Sequence, residues 1–138
     1  MLRDLGNAIN TFLSIAPITV GTGETEVTTN GVGASRKGYE SAVFVFQNAQ
    51  PSGDPTGVTV TCKVQESSDD STYTDVSGYS SSHNVTSTYT RTEINIADMT
   101  GFDTYVRGVM VVNFNGGTGP ITTIAALGIL GSSKTYPV

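Results

Sequence analysis

The residues of this chain with the most chemical potential lie close together. Glu66, Asp69 and Asp70 fall within five residues of the stretch "VQESSDDSTYTDV" (64–76), shortly after the only cysteine, Cys62, and ahead of the only histidine, His83. Acids that close could ligate calcium, act as an acid and base pair, or close a turn. An EF-hand loop needs acidic or amide ligands at alternate positions, a glycine at the sixth and a glutamate at the twelfth. "ESSDDSTYTDV" lacks that register, so Glu66, Asp69, Asp70 and Asp75 would hold at best a weak ion. A glycosidase needs two carboxylates roughly 5–10 Å apart across a cleft, and the spacing of these acids defines no such pair. Ser and Asp side chains close turns by bonding the local backbone. The stretch therefore reads as the turn of a hairpin.

The other candidates also read as structural. Cys62 sits in "VTVTCKV" on the same alternate positions as Val58, Val60 and Val64, which places it in a core as a small apolar residue. One imidazole cannot build a multi-histidine metal site, and "GYSSS" lacks the G-x-S-x-G form of a nucleophile elbow. His83, in the Ser-rich "GYSSSHNV", is expected on an exposed loop. "NVT" (84–86) matches a glycosylation acceptor that matters only in a secreted eukaryotic protein. The Gly-rich "GTGETEV" and "NGGTGP" lack the lysine and following helix of a phosphate-binding loop. No enzymatic activity, catalytic residue, cofactor or metal is expected.

Charge narrows the partners. Against 12 Asp plus Glu stand 7 Lys plus Arg, giving a net charge of −5 with no basic run. Phosphate backbones are repelled by such a surface, so nucleic acid and anionic membranes are not expected partners. No segment approaches the roughly 20 apolar residues of a membrane span. "MLRDLGNAINTFLSIAP" is interrupted by Gly6, Asn7, Asn10 and Thr11, and so lacks the apolar run of a secretion leader. With a single cysteine the fold must stand on packing and hydrogen bonds, which suits maturation in a reducing cytoplasm.

At 138 residues the chain suits one domain, here residues 17–138, with residues 1–16 as an N-terminal arm. Beyond residue 20, short apolar runs alternate with Gly, Pro, Asn, Ser and Asp clusters, the signature of an all-β sandwich or barrel. Candidate strands are 24–30, 39–47, 57–66, 72–76, 84–96 (two strands or one bent strand), 103–114 and 120–130. Val58, Val60, Cys62 and Val64 face one way, and Thr59, Thr61, Lys63 and Gln65 the other, which is a strand with one wet face. Elsewhere both faces are apolar. Phe44 and Phe46 oppose Val43 and Val45; Val106, Met110, Val112 and Phe114 oppose Val109 and Val111; Ile124 and Leu130 oppose Ile121, Leu127 and Ile129. Antiparallel sheets usually wet one face, so a neighbouring segment or another subunit must cover part of these strands.

"NGGTGP" (115–120) is expected to close a tight hairpin between the last two strands, and "NAQPSGDPTG" (48–57) to form a polar rim loop suited to contacts with other molecules. Leu2, Leu5, Ile9, Phe12 and Leu13 fall near one face of a helix, with Asp4 in its first turn. They form an apolar arm of one or two helical turns ended by Pro17, packed on its own domain or reaching a partner. Tyrosines such as Tyr79 and Tyr89 suit interfaces and sugar-stacking platforms alike; the absence of tryptophan favours protein contact. On exposure grounds the contact residues are Leu2, Leu5, Ile9, Phe12, Leu13, Pro51, Asp54, Tyr79 and Tyr89.

The order "VTVTCKVQESSDDSTYTDVSG", "DTYVRGVMVV", a Gly-rich turn and "ITTIAALGIL" resembles the capsid cement, or decoration, proteins of short-tailed bacteriophages of the Bordetella phage type. The match covers about half the chain and consists of patterns of shape, without catalytic signatures. It implies a jelly-roll-like antiparallel β-sandwich, made in the host cytoplasm, that binds the outer surface of the capsid. Its partners would be the major capsid protein and itself, as a dimer or trimer. The rival readings are a carbohydrate-binding or host-attachment module with Tyr79, Tyr89 and the His83 loop as a stacking rim, and a tail or head-completion component.

Overall fold

The structure is a computed structural model that describes residues 8–85 and 89–133. Its strands are β1 (Asn10–Val20), β2 (Glu26–Asn30), β3 (Ala34–Ser35), β4 (Tyr39–Asn48), β5 (Gly57–Ser67), β6 (Thr74–Val85), β7 (Thr90–Ile96), β8 (Tyr105–Asn115) and β9 (Thr122–Ser133). They form two antiparallel sheets, ordered β1-β9-β4-β7 and β2-β8-β5-β6, with the short β3 added against β8. Apart from β3, this is the interleaved order of an eight-stranded jelly roll, built from two Greek keys. No helix among the described residues is long and apolar enough to cross a membrane.

Period-two patterning decides which side chains enter the core. Phe44, Phe46, Ile96, Ile124 and Leu130 point inward from one sheet, and Val60, Cys62, Val64, Val106, Met110 and Val112 from the other. The Phe44 and Phe46 rings stack at 6.2 Å, and Phe12 meets Phe44 edge-on at 5.9 Å, the offset and edge geometries that aromatic quadrupoles favour. Gly108 faces this cluster: a Cβ there would lie 2.9 Å from Cε1 of Phe46. Ser14, buried in β1, clips the sheets together, its Oγ accepting from the Gly108 N–H at 2.8 Å and donating to the Val32 carbonyl at 3.1 Å.

Several expectations need correction. Residues 10–20 are strand rather than helix: β1 pairs with β9 from Asn10↔Leu130 to Val20↔Thr122. The helix-like spacing of Ile9, Phe12 and Leu13 arises because Phe12 turns into the sandwich while Leu13 points out, and a long ladder outweighs local periodicity. Pro17 does not end the segment. It lies in an edge strand, within the register shift between Ile15 and Ile18, where a missing N–H is tolerated. Leu2 and Leu5 lie outside the described residues. The 115–120 segment is no hairpin, because β8 and β9 belong to different sheets; its positive-φ Gly116, Gly117 and Gly119 turn the chain from one sheet to the other. β6 continues past the expected residue 76 to Val85, bending where Gly78 takes φ 86° and the β5–β6 register shifts between Lys63 and Gln65. His83 is accordingly a strand residue, half-buried, and not part of an exposed loop.

Candidate interaction surfaces

The acidic stretch closes the β5–β6 hairpin. Asp69 Oδ1 accepts from the backbone N–H of Thr72 at 2.8 Å and of Ser71 at 3.0 Å, and from Ser67 Oγ at 2.9 Å. These bonds hold its carboxyl well below the usual carboxylate range. The next acid, Asp70, takes φ 58° and accepts from the Tyr73 hydroxyl, while the Arg107 guanidinium lies 4.0 Å over the Tyr73 ring. Burial raises the Tyr73 phenol, helped by its bond to Asp70. Each group is occupied with closing the turn.

Cys62 is fully buried, and burial pushes its thiol up to about 12, so it is held as an unreactive thiol. His83 is set between Thr92, whose Oγ1 lies 3.2 Å from Nδ1, and buried Asn48, whose Oδ1 lies 3.4 Å from Nε2. Burial lowers its pKa, and it joins the ends of the two sheets. Among the described residues, no group of three or more His, Cys, Asp or Glu is placed to hold a metal.

The two outer faces of the sandwich carry different surfaces. On the β1-β9-β4-β7 sheet, the cross-strand rows read Thr11, Ile129, Val43, Asn95 and then Leu13, Leu127, Val45, Glu93, followed by Ala125, Gln47, Arg91. The central members form an apolar field. Leu13 is 58% exposed, and Val43, Val45, Leu127 and Ile129 are half-buried. Polar groups lie at the margins, where Arg91 pairs with Glu93.

Hydroxyls, amides and charges dominate the opposite face, many of them bonded to one another. Thr59 Oγ1 donates to Asn84 Oδ1 at 3.1 Å, and the Thr61 and Ser82 hydroxyls meet at 2.7 Å. Asp75 takes Lys63 Nζ at 3.0 Å and Gln65 Nε2 at 2.7 Å, which lowers its pKa, the Gln65 bond more than the Lys63 bond. Gln65 Oε1 in turn accepts from Arg107. Val109, an outward residue of β8, is fully buried within the chain itself. Cover is thus complete at Val109 of β8, whereas Val43 and Val45 of β4 and Leu127 and Ile129 of β9 stay partly exposed.

The expected contact residues are scattered. Leu13 lies in the apolar field, and Ile9 is half-buried beside Gly131 at its end. Phe12 packs inward on Phe44. Pro51 and Asp54 line a cleft at one end of the sandwich. Tyr79 packs edge-on against Phe102 at 5.6 Å and belongs to the core margin; Tyr89 is 56% exposed. Tyr79 thus leans on Phe102, and His83 is held between Thr92 and Asn48. Sequence reasoning recognised Val43, Val45, Leu127 and Ile129 as needing cover without naming them as contact residues, although their alternation with core residues was the available signal.

No family model matches the chain, and no curated protein matches it in sequence. Its fold recurs in solved structures. The infectious bursal disease virus Gx strain structure superposes with a TM-score of 0.58 at 14% identity, over 94% of this chain and 34% of that one. The VP2 subviral particle of infectious bursal disease virus gives 0.57 at 12% identity, over 94% and 34%. The chain thus spans about a third of the length of these viral proteins. XepA, a PBSX exported protein, superposes more loosely, at 0.49 and 15% identity, over 100% of this chain and 42% of that one. At these identities the likeness establishes the jelly-roll fold.

Proposed function

We propose that this chain is a non-enzymatic structural protein of a phage virion, which binds the outside of the capsid and cements neighbouring major capsid subunits. The observation that carries the reading is the apolar field of Leu13, Leu127, Ile129, Val43 and Val45 on one outer sheet face. Contiguous exposed apolar surface marks contact with another macromolecule, and side chains held by two-sided ladders on β4 and β9 give it a rigid shape. The cement-protein resemblance and a fold shared with viral shell proteins support the same conclusion. The Asp69 turn, the buried thiol of Cys62 and the wedged His83 all serve the fold. A small contact area per copy suffices, because repeated contacts on one particle reinforce each other through avidity.

Sedimentation with bare capsids of the parent phage tests the proposal. The protein is expected in the pellet at copy numbers comparable to the major shell protein. Protein that stays wholly in the supernatant at saturating excess contradicts it.

A further inference from the structure

The structure holds a second surface that the capsid reading does not use. A cleft of about 810 Å³ opens at one end of the sandwich, between the 49–57 loop and the ends of β5, β6 and β8. This volume lies within the range of small-molecule sites. Its floor is the outward row Asn113, Thr59, Asn84, which are direct cross-strand neighbours, and Asn115 and Gln50 add further amides. Side chains so paired stand about 5 Å apart, close to the breadth of one sugar ring.

The wall is built to be rigid. Ser52 and Ile121 exchange backbone hydrogen bonds at 2.9 and 3.2 Å; Thr118 N–H donates to the Gly53 carbonyl at 2.8 Å; and Thr56 binds the Asn115 carbonyl through both N–H and Oγ1, at 2.7 and 2.8 Å. Gly53 and Gly117 interlock, since a Cβ on Gly117 would come 2.6 Å from the Gly53 carbonyl oxygen. Pro51 and Pro55 stiffen the loop, and Asp54 at its tip is held at φ 49°. A preorganised loop loses little entropy on binding.

The lining selects the ligand class. Asp54 is the only charged residue among the described lining residues, so phosphates and sulfates find no cation. Thr59 Oγ1 donates to the side-chain oxygen of Asn84, so this amide is left chiefly as a donor. The side-chain amides of Gln50, Asn113 and Asn115 make no hydrogen bond to any other described residue. An amide both donates and accepts, as each hydroxyl of a sugar does, and the Pro51 and Pro55 rings offer apolar surface for the C–H face of a sugar. β5 and β8 are each paired on both edges, so neither offers free backbone for strand addition.

We propose that the cleft floored by Asn84, Thr59 and Asn113 and walled by the 49–57 loop is a binding site for a neutral glycan. The site is independent of the apolar field on the other sheet, so it stands or falls apart from capsid binding.

The test is ¹H–¹⁵N correlation spectroscopy of the full-length free protein, titrated with neutral glucose-, galactose- and N-acetylglucosamine-based oligosaccharides, a sulfated oligosaccharide and a mixture of unstructured peptides. At least one neutral oligosaccharide is expected to shift the side-chain NH₂ signals of Asn84, Asn113 or Asn115. Asn113→Ala and Asn84→Ala, with outward side chains, should each weaken that binding at least tenfold while leaving the remaining spectrum in place, and Thr61→Ala should not. The proposal is overturned if no neutral oligosaccharide moves these amides, if the shifts map elsewhere, or if only peptides or the sulfated sugar produce them.

Discussion

The two outer faces of this sandwich solve the same problem in opposite ways. On the β2-β8-β5-β6 sheet, outward side chains are, apart from Val109 and Val111, largely hydroxyls, amides and charges, several bonded across strands, as in Thr61 with Ser82 and Asp75 with Lys63 and Gln65. That face is complete in water. On the β1-β9-β4-β7 sheet the centre of the outward face is Leu13, Leu127, Ile129, Val43 and Val45, which gain nothing from water and are fixed in place by their ladders. Burial of such side chains is worth roughly 1.5–3 kcal/mol each when complete, so the free energy for association is concentrated on one side. A jelly roll can therefore present a wet face and an apolar face from the same backbone plan, differing only in alternate residues.

The largest effect should come from charging the apolar face. Leu127→Asp or Val45→Asp is expected to lower sedimentation with bare capsids more than tenfold, about 1.4 kcal/mol, while the circular dichroism spectrum and Tm stay near those of the parent. Thr61→Asp on the other sheet serves as the matched control and should leave sedimentation within about twofold. Equal losses for both would erase the distinction between the faces.

Next in size is the link that holds the faces back to back. Ser14→Ala leaves the buried Gly108 N–H without its acceptor and should cost about 1–3 kcal/mol of unfolding free energy, read by denaturant titration.

A smaller effect separates the sheets by pH. Burial lowers the folded pKa of the His83 imidazole below the ordinary value, so as pH falls the unfolded chain takes up the proton first. Stability should therefore be unaffected by this group above about pH 6.5 and decline as pH falls below it. His83→Gln should flatten that part of the pH profile, and a slope unchanged by the substitution would show that His83 does not contribute to it.

The smallest change belongs to the wet face. Thr61→Val removes one exposed hydroxyl pair and should alter stability by no more than about 0.5 kcal/mol.

Much of this was legible in the residues. Alternation in "VTVTCKV" placed Val58, Val60, Cys62 and Val64 in the core, and the chemistry of "SSDDST" marked the β5–β6 turn, because both signals are local. The double-sided apolar character of "AVFVF" and "AALGIL" showed that cover was required. Whether the chain supplied it could not be read, since Val109 is sealed internally while Val43 is not, and that depends on non-local packing. β1 was missed for a related reason: its helix-like spacing is local, but its ladder with β9 joins residues far apart in sequence. The 115–120 turn carried the glycines of a hairpin, yet only the sheet assignment of its flanking strands distinguishes a hairpin from a crossing between sheets. The amide row of Asn84 and Asn113 gave no signal in either segment alone, because β5 stands between them.

Hydroxyl-radical footprinting of the protein, free and bound to capsids, tests the central claim most directly. On binding, labelling of Leu13, Val43, Val45, Leu127 and Ile129 should fall severalfold, while Val111 on the opposite sheet and Tyr73 in the β5–β6 turn keep their free-state reactivity. Undiminished labelling of the first group in the bound protein, or protection confined to the second, would contradict the account.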